Sequence, residues 1–259
     1  MVSVVIVAIV APFIAPYPED ATGATNTKER LQSPDRAHLF GTDALGRDIF
    51  SRVILGAALD LQLAGTVLSI AVFVGVTLGA WAGFMGGLVD ELIMRTTDIF
   101  MTMPDLVLAL VIITALGPGI RNVLLALSLV WWPGFCRLMR GQVLVIREEQ
   151  YVEAALAMGA SRMWIIRQHI LPNCLSPIIV RASMNMGFVL LTAAGLGFIG
   201  LGAVPPQPEW GAMVSDARRY FPESWWLSFF PGAAIFLTAL GLNLIGDGLR
   251  DLAEPTARR

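Results

Sequence analysis

Few side chains in this 259-residue sequence have the types and spacing needed for bond-making chemistry. His38 and His169 fall in separate polar segments, and neither belongs to an H-E-x-x-H pair that could hold zinc. Cys136 and Cys174 stand alone, without CxxC spacing, and read as small apolar packing residues. No G-x-S-x-G block presents a serine nucleophile. Lys28 is the one lysine among 18 basic residues. It sits in Thr25-Asn26-Thr27-Lys28-Glu29, not after the glycine-rich amides of a phosphate-cradling loop. ATP, if used, must be bound by another chain. Gly195-Leu196-Gly197-Phe198-Ile199-Gly200 spells G-x-G-x-x-G, but it lies inside an apolar run leading to Pro205-Pro206. A dinucleotide site would need a strand before it and an acidic residue about 20 positions on. Small-residue helix packing is the better reading.

The elements that would position any site are membrane spans. Hydrophobic residues make up 56% of the chain and charged ones 15%, against about 25% charged in soluble domains. Mean hydropathy is +0.68, and the apolar runs are spread from end to end. Lipid is therefore the main solvent. A net charge of -2 shows no basic face for nucleic acid. Spans are expected at Val2–Ala15 (short), Asp60–Gly83, Asp105–Leu116 extended by Ile99–Pro104, Ile120–Cys136, Ile178–Gly200 and Ser228–Ile245. The tail from Gly246 to Arg259 is polar and expected to fray. Basic residues divide almost evenly between the two sides, but Arg137 and Arg140 abut a span end, where the positive-inside rule has most force. This favours a cytoplasmic N-terminus.

Within the spans, Ala71, Gly75, Gly79, Gly83 and Gly87 recur every fourth residue, a stripe that lets another helix approach closely. Asn185, Thr192 and Asn243, with Thr77, Thr114, Ser128 and Thr238, are the polar interior residues. They fit interhelical hydrogen bonds or, for Asn185, Thr192 and Asn243 especially, the lining of a hydrated pathway. The spans supply almost no ionisable groups, which argues against an ion-driven carrier, the alternative reading. Trp210, Trp225 and Trp226 fit an interfacial belt.

The polar stretch between the fourth and fifth spans predicts a helix-turn-helix outside the membrane. Helix formers run from Glu148 to Met158, Gly159 supplies a left-handed residue, Ser161 caps a second helix and Pro172 stops it. Met163, Trp164, Ile166 and Ile170 would form its apolar face. The tether to two spans and the mixed charge favour a docking knob over a DNA-binding unit.

Glu153-Ala154-Ala155, Gly159 and Ile170-Leu171-Pro172 resemble the EAA loop of binding-protein-dependent ABC importer permeases. Three further blocks resemble the dipeptide/oligopeptide/nickel subfamily. Phe40–Arg52 is similar to its GTDxxGRDxxSR block, Phe198–Gly202 with Pro205–Gly211 to its last outer loop, and Asn243–Asp251 to its final helix. The resemblance covers about residues 38 to 255 and is closest to the C-type permease. It implies an all-α polytopic membrane protein with about six transmembrane helices, a type I ABC importer transmembrane domain. Its implied role is half of a translocation pathway for di/oligopeptides or a similar small polar solute. Residues 1–15 would be a shortened first span, 16–56 an extracytoplasmic segment, 57–250 the core with its coupling loop at 147–173, and 251–259 a cytoplasmic tail.

The resemblance also implies that the chain is not itself catalytic and carries no cofactor or metal. ATP and Mg would sit on two partner ATP-binding subunits. A second permease subunit, an extracytoplasmic solute-binding protein and membrane lipid would be the other partners, with no nucleic acid. Glu153, Ala154, Ala155, Gly159, Ser161, Trp164, Ile170, Leu171 and Pro172 would couple to the ATPase. Gly41, Thr42, Asp43, Gly46, Arg47 and Asp48 would form the extracytoplasmic block. The setting is a bacterial inner membrane, multi-pass, with both termini cytoplasmic. One departure is Ala58-Leu59-Asp60-Leu61, where many relatives carry an arginine followed by a Ser-Leu pair.

Overall fold

The computed structural model describes residues 10–253, and among these the regular elements are all helical. An isolated antiparallel bridge joins Thr42 to Asp48. Residues 10–14 are helical; the rest of the expected first span lies outside the described residues. Two short 3-10 turns, Pro18–Ala21 and Thr27–Glu29, interrupt the loop that follows.

Helix α1 (Ile49–Met85) has 37 residues, about 55 Å at 1.5 Å per residue. It begins well before the expected Asp60, because the Asp48 carboxylate accepts the Ser51 amide at 2.7 Å and caps it there. Ile49, Val53 and Ala57 are already buried. The end of the outer block is thus the first turn of a helix, and the expected boundary at residue 56 falls inside it. Gly86 and Gly87, both at positive φ, end α1 and open α2 (Gly87–Met101). Gly87 therefore belongs to a turn, not to the packing stripe.

Helix α3 (Asp105–Leu116) is bent 89° from α2. Pro104 has no amide to donate and drives the preceding residue out of helical conformation, so the expected straight third span is broken. Helix α4 (Ile120–Ile146) runs past the expected Cys136 end. Arg137 and Arg140 consequently lie on the helix and pair with Asp98 and Asp90 of α2. A short α5 (Gln150–Ala157) leads to α6 (Arg162–Ile199), 38 residues long. Pro172 does not stop this helix. A π-turn at Ile166–Ile170 precedes it, and the wider turn accommodates a residue that lacks an amide hydrogen. Helices α7 (Trp210–Ala217) and α8 (Trp226–Ala253) complete the order. The expected frayed tail is helical to residue 253.

Among the described residues four helices, α1, α4, α6 and α8, are long and apolar enough to cross a membrane, and five spans result if α2 and α3 form one broken span. The tightest pairing is α1 on α4. A Cβ on Gly75, Gly79 or Gly83 would fall within 2.8 Å of the Cβ of Phe135, Met139 or Val143, respectively. Glycine there lets the backbones approach and replaces lipid contact with dense packing. The core divides in two: a large cluster through α1, α3, α4, α6, α7 and α8, and a smaller one at one end, under α5 and the start of α6.

Candidate functional site

At one end of the bundle the outer block folds into a network that explains its residue types. Gly41 (φ +74°) and Gly46 (φ +75°) take conformations that side chains disfavour. The Asp43 carboxylate accepts the Leu45 amide at 2.8 Å, the Arg47 amide at 3.0 Å and Arg47 Nε at 2.6 Å. Asp48, besides capping α1, meets His38 Nδ1 at 2.9 Å and donates its amide to Asp20 at 2.7 Å. Thr42 Oγ accepts the Gln32 amide at 2.9 Å and donates to the Glu29 carbonyl. Arg52, almost fully buried, donates through Nη1 to the carbonyls of Asp20 (2.9 Å) and Pro206 (3.2 Å). Burial raises the Asp20 carboxyl above its ordinary 3.8, its bond from the Asp48 amide opposing the rise.

The tryptophans do not form a common belt. Trp210 is buried and donates to the Val53 carbonyl at 2.8 Å; Trp226 is buried and donates to the Thr42 carbonyl at 3.3 Å. Trp225 alone of the three is exposed. Their ring nitrogens need partners once buried, and the partners are carbonyls at the start of α1 and in the outer block.

Between α6 and α7 lies a carboxylate that sequence reasoning missed. Glu209 caps α7, accepting the Gly211 and Ala212 amides at 2.7 and 2.9 Å. Asp60 of α1 accepts the adjacent Trp210 amide at 3.1 Å, and both carboxylates are buried. The expectation of spans without buried carboxylates is therefore corrected, and with it that argument against an ion-driven carrier. A Cβ on Gly197 or Gly202 would strike Glu209, so of the glycines in Gly195–Gly200 only Gly197 serves close packing; a Cβ on Gly195 meets nothing within 4 Å, and Gly200, at φ +94°, ends the helix. The signal available in the sequence was Asp60 itself, a lone acid in an apolar run.

At the opposite end, α5 and the start of α6 form the knob. Gly159 has φ +80°, and the Ser161 hydroxyl accepts the Trp164 amide at 3.3 Å. Val152, Ala155, Ile165, Ile166 and Ile170 pack inward with Met139, Val143 and Cys174. Glu153, Ala154, Gly159, Ser161, Trp164 and Pro172 are exposed, while Leu171 is half-buried. The expected apolar face thus splits. Ile166 and Ile170, four residues apart, point into the bundle; Met163 and Trp164 point out. Trp164 packs edge-on against His169 at 5.0 Å, and Tyr151 also neighbours that ring at 5.6 Å. Met158, 82% exposed, is the apolar tip that sequence reasoning passed over.

The pathway candidates lie on α6 (Asn185, Thr192) and α8 (Asn243). Thr192 donates to the Phe188 carbonyl of its own helix at 2.7 Å, as Thr77 and Thr114 do to Phe73 and Leu110. These hydroxyls make back-bonds, not the expected interhelical ones. Asn243 of α8 lies against Gly187 of α6, and Asn185 is half-buried.

Comparison with known proteins places this architecture. The family model described as "Binding-protein-dependent transport system inner membrane component" matches residues 75–259. A "Probable D,D-dipeptide transport system permease protein" of Escherichia coli is 47% identical over 99% of this chain and 85% of its own length. A dipeptide transport system permease protein of Alkalihalophilus pseudofirmus is 46% identical over 98% of this chain and 82% of its own. A glutathione transport system permease protein of Pectobacterium atrosepticum is 41% identical, covering 96% and 82%. A solved structure of the MetNI methionine ABC transporter shares the fold, with a TM-score of 0.63 at 17% identity over 79% of this chain and 97% of that one. The chain is accordingly a multi-pass member of the binding-protein-dependent transport system inner membrane component family.

Proposed function

We propose that this chain is one of two permease subunits of an ATP-driven importer for short peptides. Its family fixes the transport role, and the relatives named for dipeptides and glutathione support a small peptide as the solute. ATP and Mg bind on two partner ATPase subunits, whose closure moves the knob formed by α5 and the start of α6. The knob faces the cytoplasm, as do both chain termini, and the outer block faces the solute-binding protein. Asn185, Thr192 and Asn243 border the pathway. Trp164 and Met158 are the apolar anchors on the ATPase, and Glu153, Ala154, Ser161, Leu171 and Pro172 shape the surface around them.

The observation that carries this reading is the Gly159 turn. It joins a docked short helix to a 38-residue helix that continues into the membrane, so force on the α6 half of the knob reaches a span along one helix, and force on α5 reaches it through this single tight turn. A Cβ at Gly159 meets no atom within 4 Å, so only backbone conformation restricts the position. A left-handed residue with a side chain costs about 1–2 kcal/mol, least for asparagine. In the reconstituted complex, Gly159→Val is expected to cut peptide uptake about tenfold while ATP hydrolysis and assembly persist, and Gly159→Asn to retain uptake. Normal coupled uptake in Gly159→Val removes the model's central joint. Transport by this chain alone in liposomes, without ATPase subunits, would overturn the importer reading in favour of an ion-driven carrier.

A further inference from the structure

A cavity of about 170 Å³ lies where the outer block meets α7 and the turn that follows it. At about 30 Å³ per liquid water, that is room for about six waters, or a solute of under about ten heavy atoms. Its lining holds three arginines, Arg47, Arg52 and Arg219, against two aspartates, Asp43 and Asp216. Arg47 and Arg52 are 6% and 4% exposed. A guanidinium carries five N–H donors. Arg47 Nε bonds Asp43, and Arg52 bonds the Asp20 and Pro206 carbonyls through Nη1 and pairs with Asp43 through Nε at 3.9 Å, leaving further donors on each. Among the described residues Arg219 makes no ion pair or hydrogen bond. Met213, Tyr220 and Leu227 supply an apolar wall. A second cavity of about 130 Å³ adjoins, sharing Arg47, Arg52, Met213 and Asp216.

Arg219, exposed at the cavity and without a side-chain partner among the described residues, and the spare donors of Arg47 face the same space, and guanidinium groups hold carboxylates with paired, charge-assisted bonds. We propose that this outer cavity is a binding site for a small zwitterionic solute, its carboxylate held by Arg47 and Arg219 and its ammonium by Asp216. The apolar wall then faces the solute's middle. A site so composed, outside the spans, would hold solute between release from the binding protein and passage through the bundle. The inference rests on the peptide reading for its choice of probe.

The test uses the complete transporter in nanodiscs, without binding protein, titrated with glycylglycine, glycylglycinamide and acetate and followed by calorimetry. Glycylglycine is expected to bind, acetate to compete with it, and glycylglycinamide to bind at least about tenfold more weakly, a difference of about 1.4 kcal/mol. Arg219→Met and Asp216→Asn, both at exposed positions, should each weaken glycylglycine binding about tenfold while assembly by size exclusion stays normal. No binding to the wild type, or binding unchanged by both variants, overturns the site. So does Arg219→Met weakening association with the binding protein while glycylglycine fails to titrate, since the cavity would then receive a protein side chain. Failure of the peptide reading looks different: no peptide uptake by the importer with its binding protein, although glycylglycine still titrates the cavity.

Discussion

Glu209 is 2% exposed and sits over Gly197, Gly202 and Gly211, any of which would collide with it if given a Cβ. Burial raises its carboxyl above the ordinary 4.5, and its bonds from backbone amides oppose that rise. The folded state therefore binds this proton more tightly than the unfolded chain. Its contribution favours the fold at and below pH 4.5 and is lost as pH rises through the folded value. The apparent melting temperature in detergent should fall as pH rises above about 4.5, and Glu209→Gln should fall less steeply. Asp20, also raised by burial, has the same sign, so the slope is reduced without vanishing. Gly197→Ala should destabilise by about 1–3 kcal/mol through overpacking, read by the same melt. Rules acting within a few residues were legible here: Gly159 reads as a left-handed turn and Ser161 as a cap from their neighbours alone. The Asp60–Glu209 neighbourhood was not, because its partners are far apart in sequence and meet only through helix packing.

Among the elements, the α1–α4 seam depends on three glycines spaced by four. Gly79→Leu should force the backbones apart. The expected cost is about 1–3 kcal/mol or more, seen as a lower melting temperature and weaker expression, whereas Gly87→Ala, at a turn with no atom within 4 Å, should cost only its backbone strain. The stripe was legible as periodicity, although its last member was not, since Gly86 and Gly87 at positive φ end the helix. Helix ends were harder to read than helices. Polar residues at Arg137 and Arg140 suggested a loop, yet ion pairs to α2 satisfy them on a continuing helix. Pro172 suggested a stop, yet a π-turn carries the helix past it.

Across the whole molecule, packing is uneven. The large cluster joins six helices, whereas α5 is held inward by Val152 and Ala155. Hydrogen exchange on the assembled complex should follow that contrast, slowest in the middle of α1 and α4 and fastest in α5; equal protection would contradict it. Composition and hydropathy made the membrane class and most spans legible. The clamps that close the end away from the knob, Trp226 to Thr42 and Arg52 to Pro206, were not, because nothing local marks either partner. The length of α6 adds a mechanical consequence. At about 57 Å, it behaves as a rocker arm: a 5° tilt about its midpoint carries each tip about 2.5 Å, in opposite directions. The tip away from the knob holds Gly197, seated on Glu209. A displacement begun at one membrane face thus arrives, reversed in sign, at the buried acid on the other.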